Sequence, residues 1–133
     1  MKININDMAY VNKEISEYDI DMFAKITGDY NKIHFNKEYS DELIFKDRVA
    51  HGMLTASLIS TVLGTKLPGE GCILLSINSK FIKPVYIGDK IKAIVRVKEI
   101  IYDSNKVIFE TFCKNQQDYL VMTGEAVVKY RVK

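Results

Sequence analysis

The fold is decided by an uncharged run that reads Met53-Leu54-Thr55-Ala56-Ser57-Leu58-Ile59-Ser60-Thr61-Val62-Leu63. Every residue in this run is apolar or small, so a helix formed by it has no charged face to turn toward water. Such a helix must be wrapped by other structure. Gly64 and the turn-rich segment 66–71 end the run and separate it from the second half of the chain.

The second half of the chain changes to a period of two residues, which is typical of half-buried strands. The alternating apolar residues are Ile91, Ala93, Val95 and Val97 in one segment and Leu120, Met122, Ala126, Val128 and Tyr130 in another. Further strands are predicted at 8–11, 72–81 and 106–114, which makes about five in an antiparallel sheet. The sequence therefore predicts an α+β fold, with an antiparallel sheet wrapped around a long central helix.

Upstream of the uncharged run, a short helix is followed by a long polar segment. Ser16 with Asp19 three residues later is typical of a helix start, and the apolar spacing that follows predicts a helix over 18–27 that Gly28 ends. The segment 29–49 is mixed and polar, which predicts loops with a brief helical piece at 37–44. Binding and catalytic residues are often found on such loops.

Composition narrows the class of protein. The chain has 133 residues, 47% hydrophobic and 27% charged, with 7 Gly and 2 Pro, which fits one soluble domain over residues 1–133. The net charge of +2 comes from scattered lysines and arginines rather than a basic stripe, so no nucleic-acid partner is expected. Cys72 and Cys113 match no metal-ligand spacing and are predicted to be reduced thiols. No signal peptide or membrane span is recognisable, and we expect a cytoplasmic location without membrane partners.

One set of residues carries the elements of acid–base chemistry. Asp29 and His34 lie five apart in Gly28-Asp29-Tyr30-Asn31-Lys32-Ile33-His34, and His51-Gly52 opens the uncharged helix. A carboxylate and an imidazole can exchange protons, and the free amides at a helix start can bind an anion. Simpler structural roles are also possible for these residues. Asp29 can form a turn, and His51 can brace the loop or the helix start.

The chain resembles the MaoC-like, (R)-specific enoyl-CoA hydratases of the hot-dog fold. The resemblance rests on an ordered set of segments that covers nearly the whole chain. These segments are Phe23-Ala24-Lys25-Ile26-Thr27-Gly28-Asp29-Tyr30-Asn31-Lys32-Ile33-His34, Val49-Ala50-His51-Gly52-Met53-Leu54-Thr55-Ala56-Ser57-Leu58, Leu63-Gly64, Leu67-Pro68-Gly69, Lys80-Phe81, Pro84-Val85, Gly88-Asp89 and Thr123-Gly124-Glu125-Ala126-Val127-Val128.

The resemblance implies that Asp29 and His34 are a catalytic pair that holds the water added to a 2-enoyl thioester. It further implies that the Gly52 N–H binds the thioester oxygen, that Asn31 braces the site, and that the product is an (R)-3-hydroxyacyl thioester made by a homodimer or higher homo-oligomer. Hydration needs a proton acceptor, a proton donor and an oxyanion donor, which these groups supply. No cofactor or metal is therefore expected, and an acyl-CoA is the expected substrate.

The acyl pocket is less well defined by the sequence. Ser60 and Leu63 on the central helix are candidate substrate-binding residues, together with residues near Val128. Most lysines are expected on solvated faces, with one or two in reach of the phosphates of coenzyme A; the candidates are Lys66, Lys80, Lys83 and Lys90.

Four alternative functions are compatible with the same fold. A hot-dog thioesterase or a fatty-acid-synthesis dehydratase commonly carries a carboxylate on the central helix, whereas no Asp or Glu occurs between His51 and Lys66. A 3-hydroxyacyl-[acyl carrier protein] dehydratase of the present type stays open, because the thiol carrier is not defined by these residues. A non-catalytic acyl-thioester binding module is the remaining alternative, and turnover of an enoyl thioester distinguishes it from an enzyme.

Overall fold

The computed structural model describes residues 2–42 and 45–132. In chain order the elements are β1 (Met8–Glu14), α1 (Glu17–Thr27), a 3-10 turn (Lys32–His34), α2 (Lys37–Glu42), α3 (Gly52–Thr65), β2 (Ile73–Phe81), β3 (Lys90–Ile101), a second 3-10 turn (Tyr102–Ser104), β4 (Lys106–Lys114) and β5 (Leu120–Lys129). The strands form one antiparallel sheet in the order β1-β3-β4-β5-β2. The predicted α+β architecture is therefore confirmed.

Helix α3 lies against the sheet because its side chains have few polar groups to present to water. Its residues Ala56, Ile59, Val62 and Leu63 are buried in the same core as the inward side chains of β3 and β4. Every second residue is buried along β4 and along β3 as far as Val97, in agreement with the alternation in the sequence. The helix contacts strands β1, β2, β3 and β4, which makes it the central element of the fold.

Several boundaries differ from the prediction. The first strand extends to Glu14 because its whole length pairs with β3, and pairing of this kind depends on a partner far along the chain. The sheet order also departs from chain order, since β2 pairs with β5 rather than with β3. The helical piece predicted at 37–44 is α2 over Lys37–Glu42, and residues 43–44 lie outside the described residues.

Helix α1 has the predicted caps. The Ser16 side chain accepts from the Asp19 N–H and the Asp19 side chain accepts from the Ser16 N–H, which satisfies two otherwise unpaired donors. At the other end Gly28 adopts φ 80°, a left-handed conformation that glycine reaches without a Cβ penalty. This turn directs the chain into the loop that carries Asp29.

Two further features concern the thiols and membrane insertion. Both cysteines are free, Cys72 half-buried and Cys113 buried, and burial raises the pKa of the Cys113 thiol to about 12. Among the described helices, none combines the length and apolarity required to cross a bilayer.

Candidate active site

The loop after α1 is organised by short-range hydrogen bonds. The Asp29 Oδ1 atom accepts from the Asn31 N–H at 3.2 Å, and the Asn31 Oδ1 atom accepts from the Ile33 N–H at 3.3 Å. Asn31 thereby caps the 3-10 turn that ends with His34. The turn-forming reading of Asp29 is correct, and it is compatible with chemistry because its second carboxylate oxygen remains available.

His34 is held by the main chain on the far side of the loop. Its side chain is buried, and its Nδ1 atom lies 2.7 Å from the Val49 carbonyl oxygen. A carbonyl oxygen only accepts, so Nδ1 carries the hydrogen and Nε2 of the neutral ring is a free acceptor. Burial lowers the pKa of His34 below its ordinary value, while the Val49 carbonyl and the Asp29 carboxylate act in the opposite direction.

The folded chain brings Asp29 and His34 together. One carboxylate oxygen of Asp29 and one ring nitrogen each of His34 and His51 lie within 4.8 Å of one another. Asp29 is exposed whereas both histidines are buried, so the group lies at the boundary between solvent and core. A water molecule that bonds two acceptors or donors at about 2.8 Å each spans a separation of this size.

His51 connects the start of α3 to the Asp29 loop. It is 2% exposed, and its Nε2 atom lies 3.0 Å from the main-chain oxygen of Asp29, so Nε2–H is the donor. The His51 ring stacks on the His34 ring with centroids 3.8 Å apart and planes at 26°. Its Nδ1 atom is buried and has no hydrogen-bond partner among the described residues. His51 therefore touches the backbone of one candidate catalytic residue and the ring of the other.

A cavity of about 420 Å³ opens beside His34, whereas Asp29 and His51 are not among the described residues that line it. His34, Gly52 and Thr55 contribute to its wall, and the rest of the lining is mostly apolar: Ile33, Phe45, Val49, Ala50, Phe81, Ile82, Lys83, Pro84, Val85 and Val121. An apolar cavity with a few polar groups in its wall is typical of a small-molecule binding site.

The predicted acyl-pocket residues lie elsewhere in the described structure. Ser60 is exposed on α3, Leu63 is packed in the core, and neither lines this cavity. Asn31 is also outside the lining, in the loop beside Asp29. The assignment of Ser60 and Leu63 to substrate binding stays a prediction.

Thr55 is a candidate site residue that the sequence did not indicate. Its Oγ1 atom is buried without a hydrogen-bond partner among the described residues, although its side chain lines the cavity. An unpaired buried hydroxyl is costly and is available to a ligand. One feature of the sequence could have indicated Thr55: it follows Gly52 by three residues, which puts both residues on the same helix face.

Gly52 lies at the start of α3 where a substrate can approach the main chain. As the first residue of the helix it has no intrahelical acceptor for its N–H, and no other acceptor occurs within residues 2–42 and 45–132. A Cβ atom at this position would lie 3.0 Å from the Phe81 ring, on the cavity wall. Glycine avoids this close contact and leaves the space between α3 and the Phe81 ring open.

Comparisons with known proteins agree with this architecture. The family described as "MaoC like domain" matches residues 6–117, and the chain belongs to this family. The (R)-specific enoyl-CoA hydratase of Rhodospirillum rubrum is 44% identical over 120 residues, covering 90% of this chain and 83% of that protein. The 3-hydroxybutyryl-CoA dehydratase of Methylorubrum extorquens is 43% identical over 119 residues, covering 90% and 75%.

Among solved structures, the (R)-hydratase of Aeromonas caviae superposes with a TM-score of 0.91 at 34% identity, covering 96% of each chain. The R-hydratase PhaJ1 of Pseudomonas aeruginosa does so at 35% identity with the same TM-score of 0.91. The hot-dog fold and the MaoC-like family that the residues resembled are therefore confirmed.

Proposed function

We propose that this protein is an (R)-specific enoyl-CoA hydratase, a hydro-lyase that adds water reversibly to a trans-2-enoyl-CoA to give an (R)-3-hydroxyacyl-CoA. The observation that carries the proposal is the meeting of Asp29 and His34 beside an apolar cavity that also contains Gly52. Relatives at 44% and 43% identity are named for this hydration or for its reverse. The catalytic role of Asp29 and His34 is part of the proposal.

The geometry supports the following order of steps. The Asp29 carboxylate and the His34 Nε2 atom accept the two hydrogens of one water molecule. As the water oxygen bonds to C3, His34 takes one proton, and the electrons of the C2–C3 double bond move through C1 onto the thioester oxygen. The Gly52 N–H donates to that oxygen. The proton on His34 then passes to C2, which restores the neutral imidazole and completes the hydroxyacyl thioester.

The lowered pKa of His34 is compatible with the proposed role of this ring as the proton acceptor. Because burial lowers its pKa, the ring is neutral near pH 7 and can take up a proton. A positioned acid or base of this kind contributes about 10² to 10⁴ in rate, and one oxyanion donor about 10² to 10³.

Turnover by the purified chain tests the proposal. Wild-type protein mixed with crotonyl-CoA should reduce the enoyl absorbance, and chiral analysis of the product should give the (R)-3-hydroxy isomer. Protein that binds the thioester and leaves it unchanged would support the non-catalytic binding module instead.

His51 is proposed to act as a positioning residue. In His51→Leu the Asp29 carbonyl loses its donor, so the loop can shift and kcat should fall by about 10- to 100-fold, the cost of a lost buried hydrogen bond. In His51→Gln a side-chain N–H can replace Nε2–H, and most of the rate should return. Steady-state kinetics of the His51→Leu variant should show a larger change in kcat than in KM.

Thermal unfolding of both His51 variants provides the control. If leucine and glutamine lower kcat equally while both proteins remain folded, the ring serves only to pack against His34 and the positioning role is wrong.

We propose that the protein forms a homodimer, because one edge of its sheet is exposed and apolar. Strand β2 lies at the end of the strand order, and its residues Ile73, Leu74 and Leu75 are 56%, 40% and 46% exposed. An exposed, apolar edge strand is a natural pairing surface for another chain, and a second copy presents the same edge.

Sedimentation analysis measures this association. The double variant Ile73→Lys/Leu75→Lys should shift the protein from dimer to monomer, because charged side chains at an edge oppose pairing. Ile26→Lys on α1, at a side chain 77% exposed, is the matched control and should leave the dimer intact. A wild-type protein that sediments as a monomer at micromolar concentration would contradict the proposal.

We also propose that residues 1–133 act as one domain and that the protein is cytoplasmic. The family match over residues 6–117 supports the first. The second is tested by fractionation of cells that express the chain.

A further inference from the structure

A second groove adjoins the proposed acyl cavity. It has a volume of about 240 Å³ and is formed by one basic, aromatic and amide-rich set: Lys46, Lys83, Pro84, Tyr86, Asp89, Asn115, Gln116, Gln117 and Tyr119. We call it the lysine–tyrosine groove. Lys83 and Pro84 line both the groove and the cavity, so the two spaces meet at these residues. A ligand that extends out of the cavity past Lys83 enters the groove.

Each lysine of the groove lies over an aromatic ring. The Lys46 ammonium is 5.0 Å from the Tyr86 ring centre, and the Lys83 ammonium is 5.3 Å from the Tyr119 ring centre. Such contacts favour one position of a long flexible side chain. Neither ammonium forms an ion pair with a carboxylate in the described parts of the chain. Two positive charges thus line one groove, and neither lies within ion-pair distance of a carboxylate of the described residues.

Among the described residues that line the groove, the one carboxylate belongs to Asp89, and both of its oxygens already accept hydrogen bonds. Asp89 accepts the Tyr86 N–H on Oδ2 at 2.9 Å and the Gln116 side-chain N–H on Oδ1 at 3.0 Å. These bonds hold the carboxylate against the loop at 115–119 and reduce its availability to the lysines. The groove keeps a surplus of positive charge, which suits a phosphate group.

We propose that the lysine–tyrosine groove binds the phosphate groups of coenzyme A, with Lys46 and Lys83 as the phosphate ligands. The proposal rests on the proposed function, because it is the thioester in the adjoining cavity that brings the carrier past Lys83. The structure separates Lys83 from Lys80, which lines a hollow with Lys98 and Glu110 instead. It also adds Lys46, which the sequence pattern did not indicate.

The test compares two thioesters that share the reacting atoms. Crotonyl-CoA carries phosphates, whereas crotonyl-pantetheine carries none. In Lys46→Gln/Lys83→Gln the ratio of kcat/KM for crotonyl-CoA to that for crotonyl-pantetheine should fall about tenfold, the loss expected from two weak phosphate contacts. The control Lys80→Gln should keep the wild-type ratio. Raising the ionic strength should lower the wild-type ratio and affect the double variant less.

Other outcomes overturn the assignment. An unchanged ratio in the double variant means that the groove does not contact phosphate. A loss seen with a crotonyl-acyl carrier protein and absent with crotonyl-CoA assigns the groove to the protein carrier. If wild-type protein hydrates neither thioester the proposed function fails, and calorimetric binding of free coenzyme A to wild type and double variant still tests the groove: equal affinities would overturn it.

Discussion

Replacing His34 with glutamine should lower kcat for crotonyl-CoA hydration by about 10²- to 10⁴-fold, the contribution of one positioned acid–base group. Glutamine can still donate a hydrogen bond to the Val49 carbonyl, as His34 Nδ1 does at 2.7 Å, but it cannot accept and return a proton. Asp29→Asn should cause a loss of similar size, because the amide offers the water a weaker acceptor. The double variant should be little worse than either single one, since the two groups act on the same water.

The control for these substitutions is Asp118→Asn. Asp118 is exposed in a turn at φ 65°, where asparagine is accepted, and its substitution should leave the rate unchanged. Circular dichroism of all variants establishes that they remain folded. Hydration at the wild-type rate by either His34→Gln or Asp29→Asn would remove the proposed chemistry.

The pH profile provides a second readout of His34. A base whose pKa is lowered by burial stays unprotonated as the pH falls through the ordinary histidine value of about 6.5. The wild-type kcat/KM should therefore stay level through that value and decline only at lower pH, as His34 becomes protonated. His34→Gln should lack this decline. A wild-type decline centred well above 6.5 would contradict the burial argument.

Replacing Gly124 with alanine should destabilise the fold by about 3 to 5 kcal/mol, a large part of the stability of a small domain. A Cβ atom at Gly124 would meet main-chain atoms of β2, with the Asn78 oxygen at 1.7 Å and the Asn78 carbon at 2.7 Å. These atoms cannot rotate away as a side chain can, so β2 must separate from β5, its partner in the sheet.

Urea unfolding measures this effect, with Gly64→Ala as the matched control. Gly64 lies within α3, and a Cβ atom there would have no atom within 4 Å. Alanine at Gly64 should raise stability by about 0.5 to 1 kcal/mol, because it restricts the unfolded chain more than glycine does. A Gly124→Ala protein within about 0.5 kcal/mol of wild type would show that the sheet can relax at this crossing.

The Gly124→Ala substitution should lower catalytic activity as well as stability. Strand β2 ends at Phe81, which forms part of the cavity wall in front of Gly52. It also carries the apolar edge proposed for the dimer. Separation of β2 from β5 would disturb both surfaces at once.

Much of the secondary structure of this protein follows from local patterns in its sequence. The uncharged run of α3 can only be stable when surrounded, and the two-residue period of β3 and β4 can only place its apolar side chains on one face. The caps of α1 and the turn at Asp29 depend on residues within three or four positions of one another, so they too were predictable. The ordered motif segments identified the family.

Only the tertiary structure decided how distant segments meet. The contacts of His34 with Val49 and of His51 with the Asp29 carbonyl join residues 15 and 22 positions apart. Packing between distant segments also determines three further features: the pairing of β2 with β5, the unpartnered Thr55 hydroxyl, and the position of Lys46 and Lys83 in one groove. Local propensity acts over a few residues, whereas these arrangements depend on how the helix and the sheet pack together. The sequence predicted Asp29 and His34 as the reacting groups, and packing determined the surroundings of both, the tautomer of His34 and the direction in which its pKa departs from the ordinary value.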